Sequence, residues 1–87
     1  MGLTRAEFLR TLPTALEGRP WRDAGDHLMV EEQDRRLEIT LTEKPDRALG
    51  SLRLPVLSVH LRFTGFTAQQ VEAFMTRFER SYRRGGG

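Results

Sequence analysis

The feature that most constrains this chain is a stretch in which apolar side chains occupy every second position. Between residues 36 and 43 the apolar residues are Leu37, Ile39 and Leu41, and polar residues fill the alternate positions. Successive side chains of a β-strand point to opposite faces, so this alternation predicts a strand with one buried face and one wet face. A sheet built from such strands must bury its apolar face against other elements.

Two helix-starting signals flank this region, and the helices that they predict can cover the apolar face of the sheet. Thr4 with Glu7, and Thr67 with Gln70, match the capping box, in which the two side chains satisfy the first backbone N–H groups of a helix. Apolar residues follow each box at three- and four-residue spacing. We expect helices over about 4–17 and 68–83, with a kink or a break at Pro13, because proline removes a helical hydrogen bond.

Turn-forming residues divide the remaining sequence. A breaker-rich loop is expected at 18–26, and turns are expected at 32–35 and 44–47. The inward apolar positions change parity between Leu54 and Leu57, which predicts a turn or a bulge between them, near Pro55 and Val56. The predicted strands are 27–31, 36–43, 48–54 and 57–64. The glycines at 85–87 predict a flexible tail.

The expected fold is therefore α+β. It is a two-layer α/β sandwich in which a helix, a four-stranded antiparallel meander and a second helix follow one another, with both helices on one face of the sheet. Residues 1–87 form a single domain, since this length allows one core. The predicted inner face consists of Leu28, Val30, Leu37, Ile39, Leu41, Leu52, Leu54, Val59, Leu61 and Phe63.

Composition excludes several classes of protein. The 87 residues contain no cysteine, so disulfide scaffolds and thiol catalysis are excluded. No apolar run reaches the roughly 18 residues that span a bilayer, and no signal peptide is visible, so we expect a cytoplasmic protein without a membrane partner.

The sequence does not predict an enzyme. Catalytic and phosphate-binding motifs are missing, and no cofactor is expected. His27 and His60 are the two side chains that titrate near neutrality, but the predicted meander puts them on opposite edge strands, too far apart to share a metal ion. We expect no catalytic, cofactor-binding or metal site.

By exclusion, we expect a small accessory or protein-interaction domain. Its partner would be a second copy or another protein, bound through the open sheet face, a sheet edge or the arginine-rich end of the last helix. Trp21 is either a lid over one end of the sheet or an interface anchor. The candidate interaction residues are Trp21, Arg36, Arg53, His60, Arg62, Arg80, Arg83 and Arg84.

Two alternative functions stay open. The first is nucleic-acid binding, although the net charge is only +2 and the open face has no aromatic platform. It would use Arg36, Arg53, Arg62, Arg83 and Arg84. The second follows from the ending at residues 83–87, which resembles the tails of ubiquitin-like sulfur carriers and modifiers. That resemblance implies activation and conjugation of a terminal glycine.

Overall fold

The structure, a computed structural model, describes residues 1–85 of the chain, with side chains as far as Arg83. Its four strands form one antiparallel sheet in the order β1-β2-β3-β4. The predicted α+β architecture of helix, four-stranded meander and helix is confirmed. The elements are α1 (Arg5–Ala15), β1 (Arg22–Asp23), β2 (Leu28–Glu32), β3 (Arg35–Leu49), β4 (Leu52–Thr64) and α2 (Ala68–Gly85).

Both helices pack against the same face of the sheet. Ile39 in β3 is fully buried beneath them. The Tyr82 hydroxyl of α2 donates a hydrogen bond of 2.9 Å to the Phe8 carbonyl of α1, and the two rings stack at 4.7 Å. Burial raises the pKa of Tyr82. The core cluster consists of Phe8, Leu12, Ala15, Leu16, Leu28, Val30, Leu37, Ile39, Leu57, Phe74, Phe78 and Tyr82.

The helix starts agree with the sequence. Thr4 and Glu7 exchange bonds of 3.1 and 2.8 Å, and Thr67 and Gln70 do the same. The prediction of a break at Pro13 was wrong, because α1 continues through Pro13 to Ala15. Pro13 removes one donor in the last turn, and the burial of neighbouring core residues of α1 outweighs that loss. Helix α2 reaches Gly85, and Gly86 and Gly87 lie outside the described residues.

The predicted division into strands was wrong in the second half of the sheet. Residues 44–47 do not form a turn but continue β3, with a register shift between Lys44 and Arg47. The turn lies at Gly50 and Ser51, where Gly50 has a φ of 62° that favours glycine. The predicted strands 36–43, 48–54 and 57–64 are therefore two long strands, β3 and β4. Pro45 and Asp46 form a β-bulge in β3, and for that reason a sequence typical of a turn lies inside a strand.

The irregularity predicted near Pro55 lies in the opposite strand, as this bulge of β3. Lys44 pairs with Val56 and Arg47 with Leu54, so two residues of β3 lie opposite Pro55. Strand β4 itself continues to alternate, and for that reason Leu52 and Leu54 are not on the inner face, contrary to expectation.

Pro55 fits an edge strand. The backbone N–H and C=O of Leu57 bond to Met1, on the side of β4 away from β3. Backbone groups two residues apart in a strand point the same way, so the missing N–H of Pro55 removes no bond to β3.

The predicted loop at 18–26 contains the short strand β1. Arg22 pairs with Met29, and Asp23 pairs with Leu28. The predicted strand at 27–31 corresponds to β2, and its turn falls at Gln33 and Asp34, inside the expected 32–35.

Candidate protein-interaction surface

The open face of the sheet carries paired charges. Glu38 of β3 lies opposite Arg62 of β4, and Arg36 lies opposite Glu31 of β2. Arg22 of β1 also donates to Glu31 at 3.2 Å. Opposite charges on neighbouring strands contribute about 0.2–1 kcal/mol per pair and reduce the net positive charge of the face. The charges in this part of the face are mixed in sign and do not form a basic patch.

The candidate interaction residues do not come together. Arg36, His60 and Arg62 share the open face, as predicted. Trp21 is half-buried and packs against the core beside β1. The others lie elsewhere: Arg53 is exposed in β4, Arg80 and Arg83 are exposed on α2, and the Arg84 side chain lies outside the described residues.

The main surface that sequence reasoning missed is the far half of the β3–β4 hairpin. We call residues 43–56 the arm. It forms because β3 has 15 residues, which at about 3.3 Å per residue span roughly 50 Å. Helix α2 has 18 residues but spans only about 27 Å at 1.5 Å per residue. The helix layer is too short to cover the whole hairpin, and the longest dimension of the molecule is 48 Å.

One face of the arm exposes three leucines. Leu49 and Leu52 are direct partners across the final turn, and Leu54 follows on the same face, two residues along β4. They are 50%, 63% and 41% exposed, respectively. We call these three residues the leucine stripe. Arg53 alternates with them and therefore lies on the opposite face of the arm.

Charges of both signs lie along the arm. Glu43 and Asp46 are acidic, whereas Lys44, Arg47 and Arg53 are basic, and all five are exposed. A surface that attracts nucleic acid carries one dominant positive charge. The arm instead combines an apolar centre with a mixed polar surround, as protein contact sites do.

Prolines limit the ways in which the arm can bind. Pro45 lies in the bulge of β3, and Pro55 lies opposite it in β4. Neither residue has an N–H to donate to an added strand, and proline on an edge strand discourages strand addition. The face of the arm is therefore better suited to contact than its edges.

A sequence signal for the arm exists, although the turn prediction at 44–47 concealed it. Gly50 and Ser51 stand between Leu49 and Leu52, and a glycine between two apolar strand residues is typical of a hairpin turn. Placing the turn there joins the predicted strands and moves the leucines away from the core.

Comparison with known proteins gives no relative. No protein-family model matches the chain, and the searches of curated proteins and of solved structures found no match either. Within the described residues, neither helix combines the length and apolar content needed to cross a membrane. In the same part of the chain, no group of three or more His, Asp or Glu side chains is placed to hold a metal ion.

Proposed function

We propose that this chain is a small non-enzymatic protein-interaction domain that pairs with a second copy of itself through the leucine stripe. The observation that carries the proposal is the exposure of Leu49, Leu52 and Leu54 on one face of a projecting hairpin. Contiguous apolar groups on a protein surface mark contact sites, because burying them removes apolar area from water.

The surface area of the chain supports a partner of its own size. A compact monomer of 10.0 kDa exposes about 5,200 Å² by the usual scaling. This chain exposes 6133 Å², an excess of about 900 Å². A standard interface buries about 800 Å² on each partner, so the excess surface is of the size that one dimer contact removes.

A second copy also fits the charges. In a two-fold pair, the same surface faces itself, and a patch of one sign would repel its copy. The arm carries two acidic and three basic residues, so its net charge is small and repulsion between two arms is weak. Face-to-face packing of two stripes does not require the edges that Pro45 and Pro55 occupy.

The test is the molar mass in solution, measured by size-exclusion chromatography with light scattering over a dilution series. At about 100 μM we expect twice the mass of one chain, falling towards that of one chain on dilution. The double variant Leu52→Ser with Leu54→Ser should stay monomeric throughout. The matched control, Arg53→Ser, changes the other face of the same strand and should dimerise like the unmodified chain.

A single-chain mass for the unmodified protein at every concentration would contradict self-pairing. So would equal loss of pairing in Arg53→Ser and the leucine variant, because the contact would then not distinguish the two faces of the arm.

The two alternative functions stay predictions. Nucleic-acid binding gains little support from an open face on which Arg36 and Arg62 lie opposite glutamates, and it predicts a retarded band in a low-salt gel shift. The glycine tail lies mostly outside the described residues, and conjugation there predicts a mass change ending at a glycine.

A further inference from the structure

A separate pocket lies between the β2–β3 hairpin and the first half of α2, away from the arm. Its volume is about 140 Å³. Its walls combine apolar residues with three arginines. The lining residues that matter here are Arg19, Glu32, Arg35, Phe66, Gln70, Ala73, Phe74 and Arg77.

The apolar part of the pocket is held in place by the fold. Leu37 and Phe74 belong to the buried core, and each also lines the pocket. Phe66 forms another wall directly after Gly65, which has a φ of 80°. A Cβ on Gly65 would come within 2.5 Å of the Asp34 carbonyl oxygen, so glycine allows this turn to approach the β2–β3 hairpin closely.

The arginines belong to one chain of alternating charges. Arg77 bonds to Glu17, which lies 3.9 Å from Arg19. Arg19 in turn lies 3.2 Å from Glu32, and Glu32 bonds to Arg35. This row of charges therefore begins and ends with a guanidinium and contains three positive charges and two negative ones. Its two ends, Arg35 and Arg77, line the same pocket.

We propose that this pocket binds a small organic carboxylate with a compact apolar body. Its carboxylate would bridge Arg35 and Arg77 and thereby supply the third negative charge. Guanidinium groups present paired N–H donors that match a carboxylate. The Gln70 side-chain oxygen already accepts from the Thr67 N–H, which leaves its amide nitrogen to donate.

The apolar body of the ligand would lie against Phe66 and Phe74. The volume of 140 Å³ is close to that of a dry engineered cavity of about 150 Å³ that takes up benzene. A six-membered ring is thus the size that the pocket admits. The Arg35 guanidinium stands 5.2 Å from the centre of the Phe66 ring, so the cation and the apolar wall are adjacent.

The experiment uses benzoate as the probe and follows backbone amide shifts of the ¹⁵N-labelled full chain. We expect saturable shifts around Gln70 and Phe74, with a dissociation constant in the millimolar range. Benzamide has the ring without the charge, and acetate has the charge without the ring. Each should bind at least about tenfold more weakly than benzoate.

Two variants separate the contribution of the charge from that of the pocket shape. Arg77→Gln removes one guanidinium and should weaken benzoate binding about tenfold or more. Ala73→Leu keeps every charge but adds bulk at the pocket wall, and it should weaken the benzoate shifts. The matched control is Arg80→Gln, an arginine of the same helix that does not line this pocket, and it should bind benzoate like the unmodified chain. Urea midpoints of all three show whether each variant is folded.

The proposal is overturned by any of three results. The first is no saturable shift up to about 50 mM benzoate. The second is equal binding of benzoate and benzamide, which would remove the role of charge. The third is full benzoate binding by Ala73→Leu, which would place the site elsewhere. None of these results depends on whether the arm pairs with a second copy.

Discussion

The β3–β4 hairpin contains two regions with the same strands but opposite environments. In the half of the hairpin beneath the helices, which we call the covered region, Leu37 and Ile39 alternate with polar residues and are almost completely buried. In the arm, Leu52 and Leu54 alternate in the same way and are exposed. The difference teaches that alternation gives a strand two faces but does not say which of them is covered. Leu37 and Ile39 lie on the face that the helices cover, whereas the bulge in β3 leaves Leu52 and Leu54 on the open side of the sheet.

The largest expected effect compares one leucine from each region. Leu37→Ala should lower the free energy of unfolding by about 2–5 kcal/mol, because it leaves a cavity in the core. Leu52→Ala should change it by less than about 0.5 kcal/mol, because that side chain is already in water. Urea unfolding of both variants, under conditions that keep the chain monomeric, measures the two values. Similar midpoint shifts would contradict the division of the hairpin.

A smaller effect is expected from the bond that joins the two helices over the covered region. Tyr82→Phe removes the hydroxyl that donates to the Phe8 carbonyl and should cost about 1 kcal/mol, without creating a cavity. Arg62→Ala, on the wet face of the sheet beneath the same helices, should cost less than about 0.5 kcal/mol. Thermal unfolding followed by circular dichroism compares them, and a larger loss in Arg62→Ala would show that the open face contributes more than its exposure indicates.

Removing the arm should have a smaller effect still. Replacing residues 45–55 with Asn-Gly joins Lys44 to Val56, which are already partners, through a two-residue hairpin turn. The free energy of unfolding should change by no more than about 0.5 kcal/mol, because the arm buries little and shortening the loop changes its closure entropy only slightly. Chemical unfolding gives this value and light scattering gives the mass. A chain that no longer folds would show that the arm supports the covered region.

The smallest expected effect is a loss of stability in acid, which comes from two exposed carboxyl groups outside the arm. Bonds to the Thr4 backbone and side chain lower the pKa of Glu7 below its ordinary 4.5. A lowered carboxyl pKa contributes stability above the ordinary value, and this contribution is lost as the pH falls through the folded-state pKa. Asp26, whose pKa is lowered by its bond to His27, acts with the same sign.

The expected result is a lower melting temperature below about pH 4. Glu7→Gln with Asp26→Asn should reduce that dependence. The second capping box contains Gln70, which does not titrate, so the start of α2 should be unaffected by the acid. Hydrogen exchange at the two helix starts distinguishes them, and equal loss of protection at both would contradict the assignment.

The sequence was sufficient for the parts of the fold that depend on local chemistry. Both capping boxes and the alternating apolar pattern gave the helices, the sheet and the face that the helices cover. The hairpin length was harder, because Lys44 to Arg47 has the composition of a turn but lies in a bulge. Local residue preferences do not distinguish these two cases, since the pairing of Lys44 with Val56 is a long-range contact.

The candidate surfaces were predictable to different extents. Strand parity placed Arg36, His60 and Arg62 together on the open face. It also placed Arg53 there, which was wrong, because the register puts Arg53 on the other side. The arginine pocket was not predictable, because Glu17, Glu32 and Arg77 come from three distant parts of the chain that only the packed structure brings into one row of charges. No spacing of residues in the sequence indicates that these side chains are neighbours.

The two prolines that lie opposite each other across the bulge limit the addition of further strands to the arm. A hairpin of this length with open edges would accept one strand after another, and assembly by that route has no natural end. With Pro45 and Pro55 at mid-length, lateral growth meets residues that cannot donate. The self-pairing proposed above would use the face of the arm and not its edges, and a two-fold contact of that kind is closed once two copies meet. The prolines thus oppose strand-by-strand growth of the exposed arm into a fibre.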